Sequence, residues 1–141
     1  GHTVRIHVIG DGAIHAALDI FEEAAELYGL LQHGHNTLEH LENLLPEDID
    51  RLRKLNVIAS SQPCHITLDP GGRERDLGLE RSRIMWPFAT YKQRGIRQAF
   101  GTDSPITAVT SMNVLYTAIT RQDPRSHTGA TAKLSPGIQK I

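Results

Sequence analysis

The chain has one cysteine, Cys64, and one tryptophan, Trp86, among its 141 residues. A lone thiol cannot build a disulfide framework, which excludes the disulfide-stapled scaffolds and favours a reducing, cytoplasmic setting. An excess of one charge is missing too: 15 Lys and Arg stand against 16 Asp and Glu, a net charge of −1 with histidine neutral. That balance supplies no basic footprint for nucleic acid or for an anionic membrane surface. No apolar run approaches the roughly 18 residues of a membrane-spanning helix, and the N-terminus lacks the layout of a signal peptide. An initiator methionine is absent as well. The sequence opens on Gly1-His2 directly before a strand-like run and closes on the weak segment Leu134-Ser135-Pro136-Gly137, so both ends look cut. What is present is a soluble globular balance of 39 % hydrophobic and 22 % charged residues, at the length of one ordinary domain. Eight histidines are many for this size, and their placement is informative.

Val4 to Ile9 is β-branched and apolar, and Gly10-Asp11-Gly12 bounds it, which predicts a strand. Ile14, Ala17, Leu18, Phe21, Ala25 and Tyr28 then recur at helical spacing, with Gly29 as the natural stop. A second strand is expected over Thr37 to Leu41. Pro46 opens a second helix, with Glu47 and Asp48 early, Arg51, Arg53 and Lys54 late, and Ile49, Leu52 and Leu55 as its buried stripe. Val57 to Ser60 reads as a third strand, and the polar segment Thr67 to Ser82 as a long loop, a lid or a solvated connection. A short helix from Pro87 to Arg94 stops at Gly95. Ile96 to Phe100 is the fourth strand, and Ser111 caps a helix running to about Arg121. This βαβαβαβα alternation implies an α/β fold with a parallel sheet covered by helices. It accounts for residues 1–141 as a single unit.

In parallel α/β folds the chemistry sits at the carboxyl ends of the strands. Those ends supply His7, His40, then Gln62 and His65, then Asp103 in Phe100-Gly101-Thr102-Asp103-Ser104-Pro105. Asp before Ser-Pro is ordinary turn or cap chemistry when read by itself. With His7 and His40 at equivalent strand ends, Asp103 completes a two-imidazole, one-carboxylate set suited to Zn²⁺ or a similar ion, with room for water. Two other patterns carry less. Gly10-Asp11-Gly12 has the placement of a dinucleotide fingerprint, but His15 stands where its third small residue belongs. His33-Gly34-His35 has the spacing of a metal pair and falls before the second strand, at the wrong end of the sheet. His2, His15 and His127 read as structural or surface residues.

Four segments together resemble the amidohydrolase superfamily, and within it the family 3 branch of formamide deformylase-like and exoenzyme regulatory proteins. They are Val4 to Ile14, Leu38-Glu39-His40-Leu41-Glu42, Ser61-Gln62-Pro63-Cys64-His65, and Phe100 to Pro105, in matching order and spacing through Tyr116 to Arg121. The resemblance implies the C-terminal half, strands five to eight, of a TIM (β/α)8 barrel, since a complete barrel takes about 250 residues. It implies His7 and His40 as ligands of a divalent metal, zinc foremost, one or two ions in the parent protein. Asp103 would be ligand and general base, and Gln62 and His65 would face a small-molecule substrate. The implied reaction is hydrolysis of carbon–nitrogen, amide-type bonds by a metal-activated water. The family's first-strand H-x-H pair and its bridging fourth-strand residue have no counterpart here, so weak metal binding and little turnover are expected of these residues alone. Gly12 stands where this branch usually has a larger, basic residue. Open sheet edges favour a homodimer. Other readings stay open: a non-catalytic regulatory or binding fragment, and a doubly-wound nucleotide-binding domain.

Overall fold

A computed structural model describes residues 2–30, 35–69 and 71–125. His33, Gly34, His127 and the segment Leu134 to Gly137 lie outside the described residues. Four strands, β1 (Arg5–Val8), β2 (Thr37–His40), β3 (Ile58–Ser61) and β4 (Gln98–Phe100), form one sheet in the order β1-β2-β3-β4. All three pairings are parallel, with Ile6 beside Leu38, Leu38 beside Ala59, and Ala59 beside Gln98. The α/β expectation therefore holds. Among the described strands the order never doubles back, so they contain no reversal of strand order, the switch point at which doubly-wound folds seat nucleotides.

The strands alternate accordingly. Val8, Leu38 and Ala59 are buried in the core, whereas Arg5 and His7 are exposed and Glu39 and Ser60 are half-buried. One face of the sheet is thus polar. Onto the apolar face packs α1 (Asp11–Tyr28) through Ile14, Ala17, Leu18 and Phe21. Gly29 ends that helix at φ 77°, a left-handed turn costly for a side-chain-bearing residue, while its N–H bonds the Ala25 carbonyl. Tyr28 belongs to the expected stripe yet is exposed, because the helix outruns the core there.

Pro46–Asp48 forms a 3₁₀ turn that leads into α2 (Ile49–Lys54), which buries Ile49 and Leu52. The stretch expected as a loop contains a 3₁₀ segment, Pro63–Thr67, and a helix, α3 (Gly72–Arg83), kinked at Gly78. Asp69 initiates α3 by accepting the Gly72 N–H at 3.0 Å. A Cβ at position 72 would come within 1.9 Å of the Asp69 carboxylate, so glycine is what allows that approach. Two further helices follow, α4 (Phe88–Gln93) and α5 (Ser111–Thr120). Arg121, just past α5, buries its guanidinium and donates to the Trp86 and Met85 carbonyls at 2.9 and 3.3 Å. Among the described residues no helix is long and apolar enough to cross a membrane.

Candidate metal centre

The carboxyl ends of β1, β2 and β3 and the turn after β4 converge on a group of titratable side chains. His7 and His40 stand edge to face with ring centroids 4.4 Å apart, and His40 stacks against His65 at 5.9 Å. In the β1–β2 register His7 stands beside Glu39 and Val8 beside His40, so the left-handed backbone of His40, not the register, accounts for the meeting of the first two rings. His65 comes from the 3₁₀ segment that continues β3, where Pro63 fixes the first turn and Arg73 donates to the His65 and Ile66 carbonyls. Asp103 lies in the turn after β4, its Oδ2 3.8 Å from His65 Nε2.

Backbone conformation aims two of these groups. His40 has φ 75° and Asp103 has φ 54°, both left-handed and both non-glycine. Each such residue costs on the order of 1–3 kcal/mol and persists only where its surroundings hold it. The alternative role for Asp103, as cap of the following helix, is not taken: α5 begins at Thr110 and Ser111, far along the turn, with no side-chain cap bond.

Glu42 is the residue that sequence reasoning left unassigned. Its Oε1 lies 3.4 Å from His65 Nδ1, and His40, Glu42 and His65 can each offer a ligand atom within 4.8 Å of the others. Strand alternation does not reveal it, because β2 ends at His40 and both His40 (φ 75°) and Leu41 (φ 50°) turn left-handed before Glu42. Gln62 is 5 % exposed and donates through Nε2 to Glu39 Oε2 at 3.3 Å. Ser60 donates to the same oxygen at 2.8 Å, and Arg5 pairs with the other at 3.2 Å. Gln62 thereby ties the base of the His65 segment to the polar sheet face.

The donor set fits a divalent cation on its own chemistry. His40 Nδ1 and His65 Nε2 are buried without a hydrogen-bond partner. An unsatisfied buried polar atom costs about 1–3 kcal/mol, which a bound ion would recover. A carboxylate can only accept, and a neutral imidazole has one ring proton to share between Glu42 at Nδ1 and Asp103 at Nε2, so one of the two His65 nitrogens turns a lone pair toward a carboxylate. A lone pair facing a carboxylate is a place for a cation. Burial lowers the His40 pKa, and His7 pushes the same way against Asp103 and Glu42; the neutral imidazole that results is the ligand form.

Of the expected ligands, then, His7 meets His40, while Asp103 meets His65. His35 contacts Arg97 before β2 begins, at the opposite end of the strands. His15 also lies apart from the centre, with Nδ1 3.0 Å from each oxygen of Asp48.

The amidohydrolase family model matches residues 1–135. The chain belongs to the amidohydrolase family. This amidohydrolase chain is 30 % identical over 126 residues to Protein LONG AFTER FAR-RED 3 of Arabidopsis thaliana, covering 89 % of the chain and 21 % of that protein. It is 28 % identical over 130 residues to YtcJ of Bacillus subtilis (strain 168), covering 92 % of the chain and 24 % of YtcJ. Among solved structures it is similar to an uncharacterized metal-dependent hydrolase from Pyrococcus furiosus, with a TM-score of 0.73 and 29 % identity over 85 % of this chain and 24 % of that one. A counterpart from Pyrococcus horikoshii OT3 gives a TM-score of 0.72 and 30 % identity, over 84 % and 23 %. The amidohydrolase chain thus spans under a quarter of the length of the curated relatives it matches.

Proposed function

We propose that this chain forms strands five to eight of a TIM-type (β/α)8 barrel and carries part of the catalytic centre of a metal-dependent hydrolase acting on amide-type carbon–nitrogen bonds. The observation that carries the reading is the convergence of His7, His40, His65 and Asp103, with Glu42, at the carboxyl ends of four sequential parallel strands. Family membership and the metal-dependent structural neighbours support it. In this reading His7, His40 and Asp103 are ligands of a divalent ion, zinc by the character of the donors, with Glu42 and His65 close enough to complete or orient the set.

Such an ion supplies Lewis acidity and a lowered pKa for the hydrolytic water. The residues do the remaining work. Asp103, 42 % exposed at its side chain, is open to water and can hold a proton for the leaving nitrogen. His65, fixed by Glu42, orients whatever approaches Asp103, and Gln62 holds the segment that presents His65 to substrate.

Calorimetric titration with Zn²⁺ tests the centre directly. Wild-type protein is expected to bind, His40→Ala to lose binding, and Glu42→Gln to weaken it about 10- to 100-fold, the usual effect of removing an orienting carboxylate. Absence of zinc binding by the wild type, or an unchanged isotherm for His40→Ala, refutes the assignment.

A further inference from the structure

Glu42 and His65 have a second setting besides the metal centre. They form one wall of a cleft of about 340 Å³ between the 3₁₀ segment and α3, a size within the range of small-molecule sites. Leu68, Leu77 and Met85 supply its apolar wall. Its floor is the Arg73 guanidinium, 4.4 Å above the Trp86 ring.

The charged groups around the cleft are largely committed to the protein itself. Arg73 is spent on the His65 and Ile66 carbonyls and on Trp86. Asp69 accepts the Gly72 N–H, and Arg75 pairs with Asp69 and Asp76 at 3.4 and 3.0 Å. Leu68, 51 % exposed, and Leu77, half-buried, leave apolar surface open beside a polar centre, and the unpartnered polar atoms of the lining, His65 Nε2, Asn43 Oδ1 and Trp86 Nε1, belong to uncharged groups or to the centre itself. Three carboxylates, Glu42, Asp69 and Asp76, stand around one structural guanidinium, so an anionic group is disfavoured there.

We propose that this cleft is the specificity pocket of the hydrolase centre and takes an uncharged, apolar, ring-sized group of the substrate, leaving the scissile bond beside His65. The assignment rests on the metal-centre reading for its orientation, because only through Glu42 and His65 does a group in the cleft lie next to reacting atoms. Leu68 and Leu77 are then specificity-determining residues outside the ligand set; the link from Leu68 to His65 runs through the backbone, N–H to carbonyl at 3.2 Å, and a side-chain change leaves it in place.

Trp86 is the sole tryptophan and lines the cleft, so its fluorescence reports occupancy. The probes are 2-phenylacetamide, acetamide, which lacks the ring, and phenylacetate, which adds a negative charge. Saturable quenching or enhancement by 2-phenylacetamide is expected, with acetamide and phenylacetate at least ten-fold weaker. Leu68→Glu, a change at an exposed site, and Leu77→Arg are expected to weaken 2-phenylacetamide ten-fold or more while zinc titrations stay as in the wild type. A flat titration, equal response to acetamide, tighter binding of phenylacetate, or unchanged affinity in Leu68→Glu overturns the proposal. Zinc binding without a response to 2-phenylacetamide removes the pocket and leaves the metal centre; the converse removes the metal centre and leaves an apolar pocket.

Discussion

Histidine does three different things in this chain, and neighbours rather than sequence spacing decide which. His40 has its pKa lowered by burial and by His7, and brings an unpartnered nitrogen to the candidate metal centre. His65 is split between two carboxylates. His15 has no part in the centre: Asp48, buried to 1 % exposure, bonds its Nδ1 and raises its pKa above the usual 6.5, with Asp19 adding to the shift and Arg51 opposing it. A histidine raised in the folded state binds its proton more tightly there than when unfolded. Its contribution is complete below about pH 6.5 and fades as pH rises through the folded-state value. Thermal melts of wild type and His15→Gln should therefore differ most near about pH 5.5 and converge near about pH 8.5. A gap that widens toward alkaline pH would show that the His15–Asp48 contact works through packing rather than charge.

Between elements, the same Asp48 is part of a junction that fastens α2 to α1. Arg51 donates to Asp48 at 2.8 Å and reaches across to Glu22 at 2.9 and 2.8 Å, and these bonds, Glu22 first, raise its pKa and keep it charged. Truncation by Arg51→Ala leaves Asp48 buried with only His15 to answer it. Removing one partner of a buried pair costs about 3–5 kcal/mol, and partial exposure of Glu22 and the retained His15 bring the expectation to about 2 kcal/mol. Urea denaturation measures it; a loss under half of that would mean water replaces the guanidinium. The elements themselves were legible where apolar residues mark a period: β1, α1 and α2 follow from Val4 to Ile9, Ile14 to Phe21, and Ile49 and Leu52. The helix α3 was not, because Leu77 is its one half-buried leucine and Gly71-Gly72 and Gly78 read as breakers; capping by Asp69 and surface ion pairs such as Arg83 with Glu80 accompany it instead. In the centre, strand ends pointed to His7, His40, His65 and Asp103, yet nothing local announces that His40 and Asp103 turn left-handed. The partnership of Glu42 with His65 joins two different strand ends and exists only once the sheet is formed.

At the scale of the molecule the sheet leaves β1 and β4 each with one neighbour among the described residues. Either edge is a poor template for a second copy, since β4 has three residues and β1 four, with Arg5 exposed on it. The stronger surface is α5. Val114, Thr117 and Ala118 are buried, while Met112, Leu115, Tyr116 and Ile119 form an exposed stripe at i, i+3, i+4 and i+7, extended by Ile106 and Val109. Stripes of that spacing are the faces that helices bury against one another. In the half-barrel reading a neighbouring β/α unit would cover it; for the 141-residue chain by itself the same stripe on another copy can do so. Sedimentation velocity should then show concentration-dependent association of that chain, and Met112→Glu with Leu115→Lys should shift it to monomer without altering zinc binding, because neither side chain belongs to the centre. Association that survives the double change would move the contact to the sheet edges, and a wild type that stays monomeric at every concentration would show that the stripe is tolerated in water.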